Sequence, residues 1–135
     1  MYNYLLSERS QDLGKLILRI VLGLLILLHG IAKLIGGVGG IAGMLQGVGL
    51  PGFVAYGVLI GEVIAPLLLL SGFYARIGAA LIAVNMVVAI LLAHAGEIFS
   101  LGPQGGWQIE LQGMFLFTAV ALVFLGPGRI AINQR

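Results

Sequence analysis

The sequence contains no cysteine. That excludes disulfides, thiolate metal sites, c-type haem attachment and dithiol redox chemistry carried by this chain. Charge is scarce as well: Asp, Glu, Lys and Arg make up 9% of 135 residues, against roughly 25% in soluble domains. A net charge of +2 is too small to argue for nucleic acid as a partner. There is no Walker loop, no H-E-x-x-H and no arrangement that reads as a serine triad. GVGLPG at 47–52 and GVGGIA at 37–42 fit the letters of a dinucleotide motif. Each follows a long apolar run rather than a strand, and the first contains Pro51, so the βαβ context that gives those glycines their purpose is missing.

What is present is hydrophobicity, at 60% of residues and a mean hydropathy of +1.12. Four apolar runs, at about 14–36, 53–72, 76–95 and 108–126, approach the ~20 residues that cross a bilayer. Lipid offers the backbone no hydrogen-bond partners, so such runs must be helical. The expected fold is an all-α membrane protein, a four-transmembrane-helix bundle forming a single domain over residues 1–135. The opening MYNYLLSERSQDLGK carries charges of both signs and is followed by no small-residue cleavage site, so the first span is expected to be retained. GFYAR makes a tight turn between spans two and three. The glycine-rich stretch between spans one and two contains IAGMLQG, which can form a short interfacial helix stopped by Pro51.

Arg9, Lys15, Arg19, Arg76, Arg129 and Arg135 fall on the side of the N-terminus, and only Lys33 lies near an opposite loop. This asymmetry predicts cytoplasmic N- and C-termini in the inner membrane of a bacterial or archaeal cell, with the two long loops outside. Phe53, Tyr56, Phe99 and Trp107 then sit at the outer boundary, where aromatic rings favour the headgroup region.

Polar residues inside the spans mark candidate sites, because an intramembrane charge costs about 2.5–3.5 kcal/mol. At ~1.5 Å per residue, Arg19 lies roughly 9 Å inward of the middle of span one, His29 roughly 6 Å outward and Lys33 roughly 12 Å outward. At ~100° per residue the three share an arc of about 80°, a polar stripe that should face the bundle. Glu62 is at the centre of span two, four residues before Pro66, which leaves the Glu62 carbonyl without its helical donor. Arg19 and Glu62 form a candidate buried ion pair or proton site, although Arg19 can alternatively snorkel to the headgroups. Lys33, His94 and Glu110 share an outer depth and form, with His29, a candidate cluster. Asn85 and His94 are nine residues apart and point to opposite sides of span three, which leaves Asn85 as an interhelical hydrogen bond outside that cluster. Met86 lies nearer the His94 face. Two histidines admit haem and the His29, His94 and Glu110 set admits a metal, but neither has compact ligand spacing, so no metal is expected.

RIVLGLLILLHGIAKL, GEVIAPLLLLSGFYARIGA, NMVVAILLAH and ELQGMFLFTAVALVFLGPGR together resemble the DoxX family of small four-helix membrane proteins. The resemblance rests on Arg19, His29, Gly30, Lys33, Glu62, Met86, His94, Glu110 and the closing Gly126-Pro127-Gly128, and covers nearly the whole chain. The family is related to the DoxD subunit of a thiosulfate:quinone oxidoreductase, so the resemblance implies a membrane subunit of a redox system. Quinone is then the implied small molecule, with no certain intrinsic cofactor. A soluble or membrane redox partner would supply the electrons, and a homodimer is compatible with the chain. On this reading His29, Lys33, His94, Glu110 and Met86 are the candidate quinone-binding residues. Two other readings stand beside it: a structural scaffold for soluble redox partners, and a small-molecule or proton-coupled carrier using Glu62 and Arg19.

Overall fold

A computed structural model describes residues 7–36, 54–93 and 95–133, together with 43, 46, 47, 49, 51 and 135; within the helices, the side chains at 33, 34, 36, 54, 55, 58–61, 92 and 93 lie outside the description. Four long helices follow one another: α1 (Glu8–Gly36), α2 (Val54–Ser71), α3 (Ala75–Ala93) and α4 (Glu110–Leu125), with a single 3-10 turn at Ala95–Glu97. Among the described residues, regular structure is helical apart from one isolated antiparallel bridge, Leu101 with Trp107, and turns and coil fill the rest. The short helix expected within 41–47 falls largely outside the described residues.

Each helix sits close to an expected apolar run, with informative differences at the ends. α1 starts six residues before the expected boundary, because Ser7 caps it: the Ser7 hydroxyl accepts from the Ser10 amide at 3.2 Å. Glu8 adds a negative charge to the first turn, where the helix dipole favours it. Among the described residues, α1 over Glu8–Ala32 is the one helix long and apolar enough to cross a membrane. The apolar stretches Glu62–Ser71, Ala75–Leu91 and Glu110–Leu125 are shorter than that. The loop before α4 takes up some of the fourth run, since Gly102 donates to Gly106 at 2.6 Å and Gln108 to Ser100 at 3.0 Å.

Neighbours in sequence are neighbours in space. α1 packs on α2, α2 on α3 and α3 on α4, while a lighter contact between α1 and α4 closes the bundle. The core repeats at helical spacing: Leu22 and Ile26, then Ala65 and Leu69, then Ala75, Ala79, Ile82 and Met86, then Phe115, Ala119 and Leu122. Alanine at four of these positions keeps the axes close. Many further large apolar side chains point outward, among them Leu28, Leu67, Val84, Leu91, Phe117 and Phe124.

α1 and α2 meet closely at Gly30. A Cβ there would overlap the Glu62 carbonyl oxygen and come within 2.9 Å of the Val63 side chain. That carbonyl is the one Pro66 leaves without an amide donor. The helix thus loses one of its own hydrogen bonds at the point where the neighbouring helix presents a glycine, and a Cα–H contact suits that oxygen.

Candidate functional site

The polar residues separate into three levels along the bundle. In the middle, Glu62 is 3% exposed and Asn85 5%. The Asn85 amide nitrogen donates to Glu62 Oε1 at 3.2 Å, joining α2 to α3. This is the interhelical hydrogen bond expected of Asn85, and the structure supplies its partner. Angle alone opposed Asn85 to His94 but left open which neighbour either one meets. Met86 follows Asn85 in the chain and belongs to the core that Ile82 and Phe115 also line.

His29 is exposed, and its ring meets Phe115 of α4 edge to face, with centroids 5.9 Å apart and planes at 75°. The histidine thus emerges at the light α1–α4 contact, one residue before the glycine packed on Glu62. Glu110 is exposed and belongs to another level: it begins α4, its amide donates to the Trp107 carbonyl at 3.0 Å, and its carboxylate folds back over Gly106. Among the described contacts, none joins His29 to Glu110. The side chain of Lys33 and all of His94 lie outside the described residues, so the expected outer cluster of His29, Lys33, His94 and Glu110 is represented here by two separated members. Among the described residues, no three His, Asp or Glu side chains gather as metal ligands. Trp107 closes the outer loop by donating its indole N–H to the Ile98 carbonyl at 2.5 Å, while Tyr56 and Phe99 are exposed. Phe53 lies outside the described residues.

The third level is the basic end, and here the sequence reading needs its main correction. Arg19 is 1% exposed, so it does not snorkel to water. It does not pair with Glu62 either. Its Nη1 donates to the Leu69 carbonyl at 3.0 Å and its Nη2 to the Ile130 carbonyl. Leu69 is seven residues past Glu62 on α2, about 10 Å along the axis, which sets the guanidinium far from the carboxylate. The carbonyls of a last helical turn lack amide donors, and a cation there meets the negative end of the helix dipole. Arg19 supplies both at the end of α2.

Arg76 does the same for α4, donating from Nη1 to the carbonyls of Val123 and Phe124 at 2.8 and 3.0 Å. Its guanidinium lies against Gly126, where a Cβ would come within 2.5 Å of it, and the positive φ of 76° at that residue also favours glycine. Gly126-Pro127-Gly128 is therefore the buried bend that brings the C-terminal segment under the bundle. Arg129 then reaches Asp12: its Nε lies 2.5 Å from Oδ2, its amide donates to Oδ1 at 3.2 Å, and Glu8 is 3.5 Å from its Nη1. The Asp12 carboxylate holds the Arg129 guanidinium above its ordinary pKa. Asn133 continues the tie, donating from its amide to Gly72 and accepting from the Tyr74 amide. Sequence reasoning missed Asp12 and Arg76 as structural partners. Their partners lie 117 and 47 residues away, and no local pattern announces such a contact.

The chain is thus a four-helix bundle with an apolar exterior and polar groups at fixed levels. The DoxX family model matches residues 14–95, more than half of the chain, and the chain belongs to that family. It is 29% identical over 126 residues, 93% of this chain and 89% of the relative, to a Bacillus subtilis (strain 168) protein named "Putative oxidoreductase CatD". No solved structure matches the chain.

Proposed function

We propose that this protein is a multi-pass inner-membrane subunit of a redox system that holds a quinone headgroup at the seam between α1 and α4. The observation that carries this reading is the placement of His29 against Phe115 at the exposed edge of a bundle whose exposed surface between the helix ends is otherwise largely apolar. An exterior carrying Leu28, Leu67, Val84, Leu91, Phe117 and Phe124 is far more apolar than water tolerates on a monomer, and fits a lipid surrounding. Helices of 18, 19 and 16 residues for α2, α3 and α4 are about 27, 28 and 24 Å long, close to the ~30 Å hydrocarbon thickness once modest local thinning is allowed.

The chemistry follows from the residue types. A quinone reaches its site through lipid, so the site must open sideways, as the His29 edge does. The imidazole can donate to one quinone carbonyl and deliver a proton as that oxygen is reduced. Phe115, buried behind the imidazole, holds it at that edge. Reduction of the quinone to the quinol takes up two electrons and two protons. A flavin or haem on a partner subunit is the source of the electrons. The name of the Bacillus subtilis relative supports an oxidoreductase setting.

A second reading, an anchor for soluble redox partners, is favoured by one observation: Arg19 and Arg76 serve as helix-end caps. The test separates the two. Detergent-purified protein is extracted with organic solvent and the extract analysed by mass spectrometry. The quinone reading expects a stoichiometric quinone that is lost in His29→Ala and kept in Glu110→Ala. Phospholipid alone, from the wild type and both variants, would end it and leave the anchor.

A further inference from the structure

We propose that the basic end of the bundle carries a seat for one anionic phospholipid, separate from the quinone site and resting on the same membrane reading. Two adjoining hollows make it. A polar cavity of about 320 Å³ lies between the first turns of α1 and the bend after α4, with Lys15, Arg76 and Arg129 among its walls. Beside it runs an apolar groove of about 510 Å³ formed by Gly14, Ile17, Leu18 and Leu125. Gln11, Lys15 and Leu125 line both, so the two adjoin.

The charges in the cavity are not equally committed. Arg129 is engaged by Asp12 and Glu8. Lys15 makes no hydrogen bond or ion pair among the described residues. Arg76 spends only Nη1 on helix carbonyls, leaving its other two nitrogens without a bond among those residues. Two cations thus face a hollow whose two acids are already turned toward Arg129. A phosphate oxygen meets both of them with charge-assisted hydrogen bonds.

The groove identifies the rest of the ligand. Ile17 and Leu18 follow Lys15 by two and three residues, about 3 to 4.5 Å deeper along α1. Gly14 leaves a gap in the helix surface, with nothing within 4 Å of where its Cβ would be. A headgroup held by Lys15 and Arg76 would therefore lay its first acyl carbons on Ile17, Leu18 and Leu125. A soluble phosphate has no use for that groove, and a chain without a charged head has none for the cations. On the positive-inside orientation this end faces the cytoplasmic leaflet, where anionic lipids reside.

The test is native mass spectrometry of the full chain in detergent, titrated with phosphatidylglycerol and with phosphatidylcholine of the same acyl chains. One phosphatidylglycerol per chain is expected, bound more tightly than phosphatidylcholine. Lys15→Gln should weaken it roughly fivefold, the factor that one lysine contributes against an anionic headgroup. Arg9→Gln removes the same charge from outside the cavity and should leave binding unchanged. Dihexanoyl phosphatidylglycerol should bind at least roughly tenfold more weakly, because its short chains barely enter the groove. Millimolar inorganic phosphate should not displace the lipid. Lys15 makes no bond on which the fold depends, and an unchanged circular dichroism spectrum verifies this. Equal binding of the two lipids, equal effects of Lys15→Gln and Arg9→Gln, or displacement by phosphate would each overturn the seat. Recovery of the chain in the soluble fraction without detergent would instead overturn the membrane reading beneath it.

Discussion

The same substitution at two glycines of α1 should have opposite effects. Gly14→Ala and Gly30→Ala each add one methyl group to one helix and each gain the helix propensity of alanine, about 0.8–1.0 kcal/mol. At Gly14 the new Cβ meets nothing within 4 Å, so this gain stands. At Gly30 it would overlap the Glu62 carbonyl oxygen and approach the Val63 side chain. α1 must then move away from α2, and overpacking of this kind costs about 1–3 kcal/mol, more than the propensity returns. The expected result is a Gly14→Ala variant about 1 kcal/mol more stable than the wild type and a Gly30→Ala variant up to about 2 kcal/mol less stable. Equilibrium unfolding in a mixed-micelle titration with sodium dodecyl sulfate reads both. A Gly30→Ala protein as stable as Gly14→Ala would refute the close α1–α2 contact, and with it the placement of the carbonyl freed by Pro66.

Asn85→Leu removes the donor to Glu62 Oε1 and should destabilise by about 1–3 kcal/mol, whereas Glu62→Gln keeps an acceptor for Asn85 and should cost less; the reverse order in the same titration would contradict the pairing. Arg19→Met strips the cap from Leu69 and Ile130 at a cost of about 2–4 kcal/mol, and Arg19→Lys, with a single ammonium, should recover only part of it. If the loss in Arg19→Met disappears when Glu62 is also changed to Leu, then Arg19 pairs with Glu62 after all. Asp12→Asn and Arg129→Gln should show coupling in a double-mutant cycle that shrinks as salt is raised, since Arg129 is largely exposed; strict additivity would show that the contact contributes nothing.

For function, the arrangement puts helix-end wiring at one end and a histidine edge further along. The two can be altered independently. Losses at Arg19 or Arg76 should appear in stability, and losses at His29 in ligand retention with the fold intact.

Four apolar runs, their order and the short GFYAR connection follow from hydropathy and turn chemistry within a few tens of residues, so the helical bundle was legible from the chain alone. The Ser7 cap was missed, and the expected boundary of the first helix began later. Membership of the DoxX family could be read from motifs spread across the chain. What each polar residue touches was another matter. Depth along a helix is additive and can be counted, but the neighbour a side chain meets depends on how the axes cross. Depth placed Arg19 within reach of Glu62, yet the bend at Gly126-Pro127-Gly128 brings the Ile130 carbonyl under the bundle and offers the guanidinium two nearer acceptors. Asn85 was legible as an interhelical hydrogen bond but not its partner, and the packing of α3 on α2 makes that partner Glu62. Asp12 and Arg129 are 117 residues apart and carry no mark of their pairing in the sequence. Composition, period and charge asymmetry are local or summed properties, and the chain states them directly. Which carbonyl an arginine caps is a property of packing, and only the tertiary structure decides it.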